Sequence, residues 1–218
     1  MRYSLLLLVG VLGLAGCSSA YYGAMEKVGM PKRKILVDRV GSAREAQQEA
    51  KTQFASALAQ FLAVARVPPT ELQATYEKLN AELKHSEARA QDVRDRIAAI
   101  DSVAQALFAE WSNELGDYKS AALRSQSERQ LTTTRNRYAA MMRVMDQAAA
   151  RMNPVLDAFH DQVLFLKHNL NAQAVSALSG STRDLQQDIS RLVADMEKSI
   201  READAFIASM QSAPTSAH

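Results

Sequence analysis

The chain has 218 residues, a formal net charge of +2 and a single cysteine. This near-neutral balance excludes the strongly basic character of a general nucleic-acid-binding protein, and the length suffices for one domain with a sizeable core. Glycine and proline are scarce, with 8 and 5 copies, and helix-forming residues dominate, so the composition predicts an all-α fold.

Residues 1–16 have the pattern of a cleaved signal peptide. Arg2 supplies positive charge, residues 5–12 are almost wholly apolar, and small residues precede the cysteine. The apolar run is too short for the roughly 20 residues of a membrane-spanning helix. The segment Leu14-Ala15-Gly16-Cys17 instead matches the lipobox of bacterial lipoproteins. We therefore predict that Cys17 is acylated, with palmitate among its chains, which removes the only cysteine from disulfide, redox or zinc chemistry.

The residue after the cysteine bears on which membrane holds the anchor. The chain resembles Gram-negative lipoproteins, in which an aspartate directly after the lipidated cysteine favours retention in the inner membrane. Ser18 occupies that position here. The resemblance therefore implies an outer-membrane lipoprotein that faces the periplasm.

Residues 17–30 are expected to form a lipidated tether that keeps the folded part close to the membrane, since a flexible chain of this length reaches roughly 20 Å. Two interpretations of the surrounding residues stay open. Tyr21 and Tyr22 lie at the lipid–water interface or pack on the domain. The basic residues that follow contact anionic head groups or form a solvated helix start. They are Lys32, Arg33 and Lys34.

Apolar side chains recur at alternating intervals of three and four residues over residues 31–210. This 3.5-residue period predicts an elongated antiparallel helical bundle with coiled-coil-like heptad seams and about four long helices. The first helix is expected over residues 32–65, and Gln47 is the one polar residue in its stripe. Two prolines stop this helix, and Thr70 is expected to cap the second one.

The second half of the bundle contains three candidate helix boundaries. Ser125 and Glu128 form a candidate capping box for the third helix. Pro154 kinks that helix or separates two stacked helices, and Gly180 is expected to end it. The last helix is expected to carry an apolar stripe, and residues 211–218 to form a disordered tail. The stripe comprises Leu185, Ile189, Leu192, Met196, Ile200, Ala203, Phe206 and Met210.

The charge pattern predicts which helices pair. Residues 70–118 contain ten acidic and five basic residues, whereas residues 119–152 contain seven basic and two acidic residues. Neighbouring helices of opposite charge that are joined by a short turn favour an antiparallel hairpin. We therefore expect the second and third helices to lie side by side.

Two polar pairs with helical spacing indicate a metal site as an alternative. Glu82-x-x-His85 and Asp157-x-x-His160 fall at similar heights of the predicted hairpin, and paired Glu-x-x-His motifs hold di-iron centres in helical bundles. However, the heptad phase places both histidines beside core positions, and the second pair has Asp in place of Glu. We expect surface polar pairs, with no metal and no cofactor.

One segment of the third helix is apolar around most of a turn, which a two-helix seam does not require. It is either a central position that is contacted from several sides or an exposed patch that receives a partner or a second copy. The candidate patch consists of Val163, Leu164, Phe165 and Leu166.

Several segments together resemble one bacterial protein family. The clearest is the run from Gln162 to Asn171, and the others are residues 22–29, 34–40, 86–90, 109–111 and 127–131. In these segments the chain is similar to the proteobacterial lipoproteins grouped as domain of unknown function 2959, over nearly all of the predicted mature sequence. The resemblance implies a helical lipoprotein and supplies no activity, substrate or catalytic residue.

We therefore expect a lipid-anchored envelope protein that is not an enzyme and acts as a structural element or adaptor through its helix faces. Its expected partners are the membrane, through the lipid on Cys17, and either another protein or a second copy, but not nucleic acid. The alternatives are a helical-bundle metalloprotein and a helical module that is pressed on the membrane by Lys32 to Lys34.

Overall fold

The computed structural model describes Met25, residues 30–64 and residues 67–212, without the side chains of Pro69 and residues 172–182. This part of the chain is all-α and contains no strand. Its four long helices are α1 (Lys32–Ala63), α2 (Leu72–Glu114), α3 (Ala121–His168) and α4 (Ala172–Ser212), and a 3-10 turn covers Pro69–Glu71. The predicted all-α helical bundle is confirmed. None of the described helices combines the length and the apolar character that a membrane crossing requires.

The four helices form a closed ring in which each packs against two neighbours and runs antiparallel to both. Two ion pairs show that α1 and α4 are antiparallel and define their register. A step of seven residues towards the C-terminus of α1 corresponds to a step of seven residues towards the N-terminus of α4. These pairs are Arg44–Asp204 at 3.0 Å and Lys51–Glu197 at 3.4 Å. The longest helix, α3, has 48 residues and is about 70 Å long.

The up-down-up-down order gives the bundle two ends. The base of the bundle contains the start of α1, the end of α2, the start of α3 and the end of α4. The top of the bundle contains the four opposite helix ends, with the connections after Ala63 and His168. The predicted proximity of α2 and α3 is confirmed by their packing.

The core follows the heptad pattern closely. In α1, every position of the predicted stripe from Leu36 to Phe61 is buried, Gln47 included. Three phenylalanines pack in the half of the core towards the top of the bundle, with the Phe159 ring 5.0 Å from Phe61 and 6.4 Å from Phe54 between centroids. Seven of the eight residues predicted for the α4 stripe are buried, namely Leu185, Ile189, Leu192, Met196, Ala203, Phe206 and Met210.

The prediction for the eighth residue of that stripe was wrong. Ile200 is only half-buried, and Ser199 takes the core position. Ser199 follows Met196 by three residues and precedes Ala203 by four, which continues the heptad spacing without interruption. Heptad phase therefore decides the contact, although isoleucine is the more apolar of the two side chains.

The predicted helix caps were also wrong. Ser120, not Ser125, caps α3, because its hydroxyl accepts a hydrogen bond from the Leu123 backbone N–H at 3.3 Å. Thr70 lies within the 3-10 turn, and α2 begins after Glu71 without a side-chain cap. Packing of the helices, rather than capping, therefore determines where α2 starts.

The boundary between the last two helices lies at residues 169–171 and not at Gly180. Asn169 leaves the helical conformation, and its side-chain amide donates to the Phe165 carbonyl at 2.9 Å. Pro154 neither breaks α3 nor separates two helices, since the helix continues on both sides of it. Gln211 and Ser212 belong to α4 and not to a disordered tail; residues 213–218 lie outside the described residues.

Candidate interaction surfaces

The basic residues at the start of α1 are held within the bundle. Lys32 is 8% exposed, and its ammonium lies 2.8 Å from a carboxylate oxygen of Glu110 on α2. The Arg33 guanidinium donates to the Met210 carbonyl near the end of α4, and burial lowers the pKa of this arginine. These contacts join three helices at the base of the bundle.

Only the third of these basic residues points into solvent. Lys34 is exposed and pairs within its own helix with Asp38, at 2.6 Å. A basic cluster directed at anionic head groups is therefore not what the structure shows at Lys32 and Arg33. Lys32 and Arg33 instead connect α1 to α2 and α4 at the base of the bundle.

The chain is already attached to the bundle before α1 begins. Met25 is helical, half-buried and packed against the core. The backbone N–H of Met30 donates to the Met25 carbonyl at 3.0 Å. Met25 therefore is not part of a free tether, contrary to the expectation for residues 17–30. Cys17, Tyr21 and Tyr22 lie outside the described residues.

The four residues of the alternative metal site are not gathered into a metal-binding group. Glu82 accepts a hydrogen bond from the Gln53 amide of α1 at 2.7 Å, while His85 beside it is exposed. On α3, Asp157 is exposed, and His160 lies 3.8 Å from its neighbour Asp161. Within the described ranges, no group of three or more His, Cys, Asp or Glu side chains could hold a metal ion.

The candidate partner patch is divided between core and surface. Val163 and Leu166 are buried at 4% and 0% exposure, so they pack inside the bundle and do not face a partner. Leu164 and Phe165 are exposed at 43% and 41%. Leu170 is exposed nearby, in the α3–α4 connection. The top of the bundle therefore presents three apolar side chains within seven residues of sequence.

The α2–α3 interface contains a groove of about 500 Å³. The Tyr138 hydroxyl of α3 donates to Asp101 of α2 at 2.8 Å. Burial, together with this hydrogen bond and the negative charge of Asp101, raises the pKa of Tyr138. Desolvation, with a smaller effect of the same aspartate, raises the pKa of Asp146 on the groove wall.

Ion pairing does not mediate the contact between α2 and α3, contrary to the interpretation from their opposite charges. In the described part of the chain, ion pairs link α1 with α2, α1 with α4 and α3 with α4. Where α2 meets α3, Arg135 instead donates to the Phe108 carbonyl at 3.0 Å and lies over its ring. Trp111 donates to the Ser127 hydroxyl at 2.8 Å.

Several arginines of α3 consequently remain exposed to solvent. Arg124, Arg137 and Arg143 are exposed and form no ion pair with any other described residue. Arg129 and Arg137 line a groove of about 230 Å³ with Trp111, and none of the residues that line it is acidic. This groove lies towards the base of the bundle.

The turn between α2 and α3 lies at the base of the bundle and exposes apolar side chains. Tyr118, within the turn, is 37% exposed, and Leu123, in the first turn of α3, is 56% exposed. Lys119 and Arg124 lie beside them in sequence. Met30, which precedes α1, is also exposed.

Comparison with known protein families identifies the family of this chain. The family model described as protein of unknown function (DUF2959) matches residues 21–210. The chain belongs to this family. No curated protein and no solved structure matches this DUF2959 protein. Its function must therefore be argued from its own residues.

The sequence of this DUF2959 protein contained a signal for the basal residues that heptad analysis overlooked. Leu123 lies outside the α3 stripe, which begins at Ser127 and Leu131. A leucine off the stripe at a helix start, next to Tyr118 and two basic residues, is typical of an exposed apolar contact. The arginines lining the Trp111 groove carried no such signal, because only the packed structure shows which charges lack partners.

Proposed function

We propose that this protein is an outer-membrane lipoprotein that faces the periplasm and serves, without catalysis, as a structural element or adaptor. The observation that carries the proposal is the sequence Leu14-Ala15-Gly16-Cys17 directly after a short apolar run. Acyl chains on Cys17 give stable attachment, since each buried CH₂ contributes about 0.8 kcal/mol. The helical bundle is then the part that contacts other molecules.

The fold supports an orientation relative to the membrane. Met25 packs on the core, and eight residue steps separate it from Cys17, which span at most about 28 Å when fully extended. The base of the bundle therefore stays near the bilayer. Because α3 is about 70 Å long, the top of the bundle can project far from the anchor.

The top of the bundle is the surface that we assign to protein contact. Leu164, Phe165 and Leu170 are exposed there, and exposed apolar side chains grouped at one end of a rod favour association. A protein partner or a second copy that covers them would connect the membrane to a structure at some distance from it. This surface replaces the four-residue patch expected from the sequence.

Acylation is tested by comparing the wild-type chain with Cys17→Ser in Gram-negative cells. We expect the wild type to incorporate a palmitate analogue, to show the mass of a chain starting at acylated Cys17, and to fractionate with the outer membrane. Cys17→Ser should lose the label and leave the outer-membrane fraction. An unlabelled wild type, or its recovery with the inner membrane, contradicts the proposal.

The adaptor role is tested by photocrosslinking in intact cells. A photoreactive residue at Phe165 should yield a crosslinked species whose second component is identified by mass spectrometry. The control carries the same residue at Ala88, which is exposed on α2, and should yield monomer. Monomer alone at both positions, or the same products at both, counts against contact through the top of the bundle.

A further inference from the structure

The most exposed large apolar side chain of the described residues lies at the base of the bundle. Leu123 is 56% exposed, and Tyr118 and Met30 are exposed at the same end. The core of the bundle does not need these side chains, because the α3 seam already begins at Ser127 and Leu131. Neither Leu123 nor Tyr118 belongs to the buried core of the bundle.

The position of these side chains indicates what covers them. If the proposed acylation of Cys17 is correct, Cys17 lies within about 28 Å of Met25, and Met25 packs at the same base. The turn between α2 and α3 is thus close to the bilayer that holds the anchor. Tyrosine is favoured at the lipid–water interface, and an exposed leucine beside it adds apolar area that can be buried there.

Basic side chains lie close enough to the α2–α3 turn to contact the lipid head groups. Lys119 lies between the two apolar residues in sequence and Arg124 follows Leu123. Arg129 lies six residues above Leu123, or about 9 Å along the helix. The headgroup region on each side of a bilayer is about 5–8 Å thick. With the turn at the inner boundary of this region, Lys119 and Arg124 lie within it.

Acidic side chains balance these positive charges. Glu114, Asp117 and Glu128 lie in the same stretch of residues 114–129 as Lys119 and two arginines. This stretch therefore has no net charge, so its contact with lipid depends on apolar insertion rather than on attraction to anionic head groups. Lys32 and Arg33 do not supply that attraction, because both are held by the bundle.

We propose that the turn between α2 and α3 is a second membrane contact, which inserts Tyr118 and Leu123 into the interface of the phospholipid bilayer that carries the anchor. The contact orients the bundle upright on its base. It rests on the proposed lipid anchoring and replaces the expected contact by Lys32 to Lys34.

The experiment uses the full-length lipidated protein in phosphatidylethanolamine–phosphatidylglycerol vesicles. Because Cys17 is the only cysteine and is acylated in this form, Leu123→Cys introduces the single free thiol. A fluorophore on that thiol is read with lipids that carry a spin label near the headgroup. Matched probes at Thr133→Cys and Leu164→Cys lie about 15 and 60 Å further along α3. Circular dichroism checks that all three variants are folded.

We expect at least about threefold stronger quenching at position 123 than at 133 or 164, since the headgroup region is only about 5–8 Å thick. Quenching at 123 should persist in about 1 M salt, where the Debye length is about 3 Å. Tyr118→Ser in the Leu123→Cys protein should weaken it. Equal quenching at all three positions, or its loss in salt, overturns apolar insertion at the turn.

Failure of this inference is distinguishable from failure of the lipid anchor. If intact mass shows acylated Cys17 and the probe at 123 is not quenched, the anchor stands and the second contact is wrong. If Cys17 is not acylated, vesicles are added to the Cys17→Ser, Leu123→Cys protein, and quenching at 123 supports the contact while its absence refutes it. Shielding of the probe by a protein, without quenching by lipid, also refutes it.

Discussion

Replacement of Gln47 by leucine should stabilise the protein. Gln47 is fully buried, and neither its amide nitrogen nor its oxygen has a hydrogen-bond partner among the described residues. Ser199 on α4 is also buried with an unpartnered hydroxyl, and the flanking ion pairs Arg44–Asp204 and Lys51–Glu197 place the two residues at about the same level. The middle of the core therefore contains a polar layer that costs stability.

Burial of a polar group without a hydrogen-bond partner costs about 1–3 kcal/mol, and this cost sets the expected increase in stability. Leucine has a volume close to that of glutamine and fills the same space among the alanines of this layer, so we expect Gln47→Leu to raise the free energy of unfolding by about 1–3 kcal/mol. For a domain of this size the melting temperature then rises by about 3–10 °C.

The assay is guanidinium denaturation of the mature Cys17→Ser protein, followed by far-ultraviolet circular dichroism. Gln48→Leu is the matched control, because Gln48 is exposed one residue away in α1, and it should change stability by less than about 0.5 kcal/mol. A loss of more than about 1 kcal/mol in Gln47→Leu would refute the reasoning, since it requires a satisfied amide. Combination with Ser199→Ala shows whether the two polar groups interact.

Three further predictions use the same denaturation assay. Phe159→Ala should destabilise the protein by about 3–5 kcal/mol, because Phe159 is fully buried and stacks on Phe61 and Phe54; a loss below about 1 kcal/mol would show that the core repacks. Pro154→Ala should stabilise it by about 1–3 kcal/mol, since proline inside a continuous helix removes a hydrogen bond, and a destabilised variant would mean that packing of α3 depends on the proline. The pKa of Asp146 is raised in the folded state, so ionisation of this carboxyl lowers the stability of the protein as pH rises above the ordinary pKa of aspartate. Asp146→Asn should therefore raise stability at neutral pH but not at pH values at which the carboxyl is protonated. An equal effect at both pH values would contradict this.

The heptad pattern predicted the all-α bundle and nearly all of its core because both depend on local periodicity. A stripe with a 3.5-residue period must face another helix, whichever helix that is. Ile200 was predicted as a core residue because it is apolar, but Ser199 occupies the heptad position and is buried instead. Helix boundaries were less predictable. The cap at Ser120 and the turn at Asn169 depend on single side-chain hydrogen bonds, which many serines and asparagines of the chain could form equally well.

The candidate surfaces were the least predictable, since composition cannot show which polar groups find partners. In the sequence, Lys32 and Arg33 are basic residues close to the expected membrane anchor, but in the structure Glu110 and the Met210 carbonyl hold them. Each partner lies more than seventy residues away in the chain. Conversely, the arginines of α3 face an acidic neighbour in the sequence pattern, yet Arg124, Arg137 and Arg143 have no ion pair with any other described residue.

The sequence by itself determined the helical class, the bundle and the core, since each follows from the spacing of apolar side chains along one helix. It also contains the segment Leu14-Ala15-Gly16-Cys17, on which the proposed lipid anchor rests and which is recognised from adjacent residues only. The tertiary structure decided which charges are neutralised, that Val163 and Leu166 are core, and that Tyr118 and Leu123 are exposed at the base. These outcomes depend on the register between helices, which side chains distant in the chain determine together.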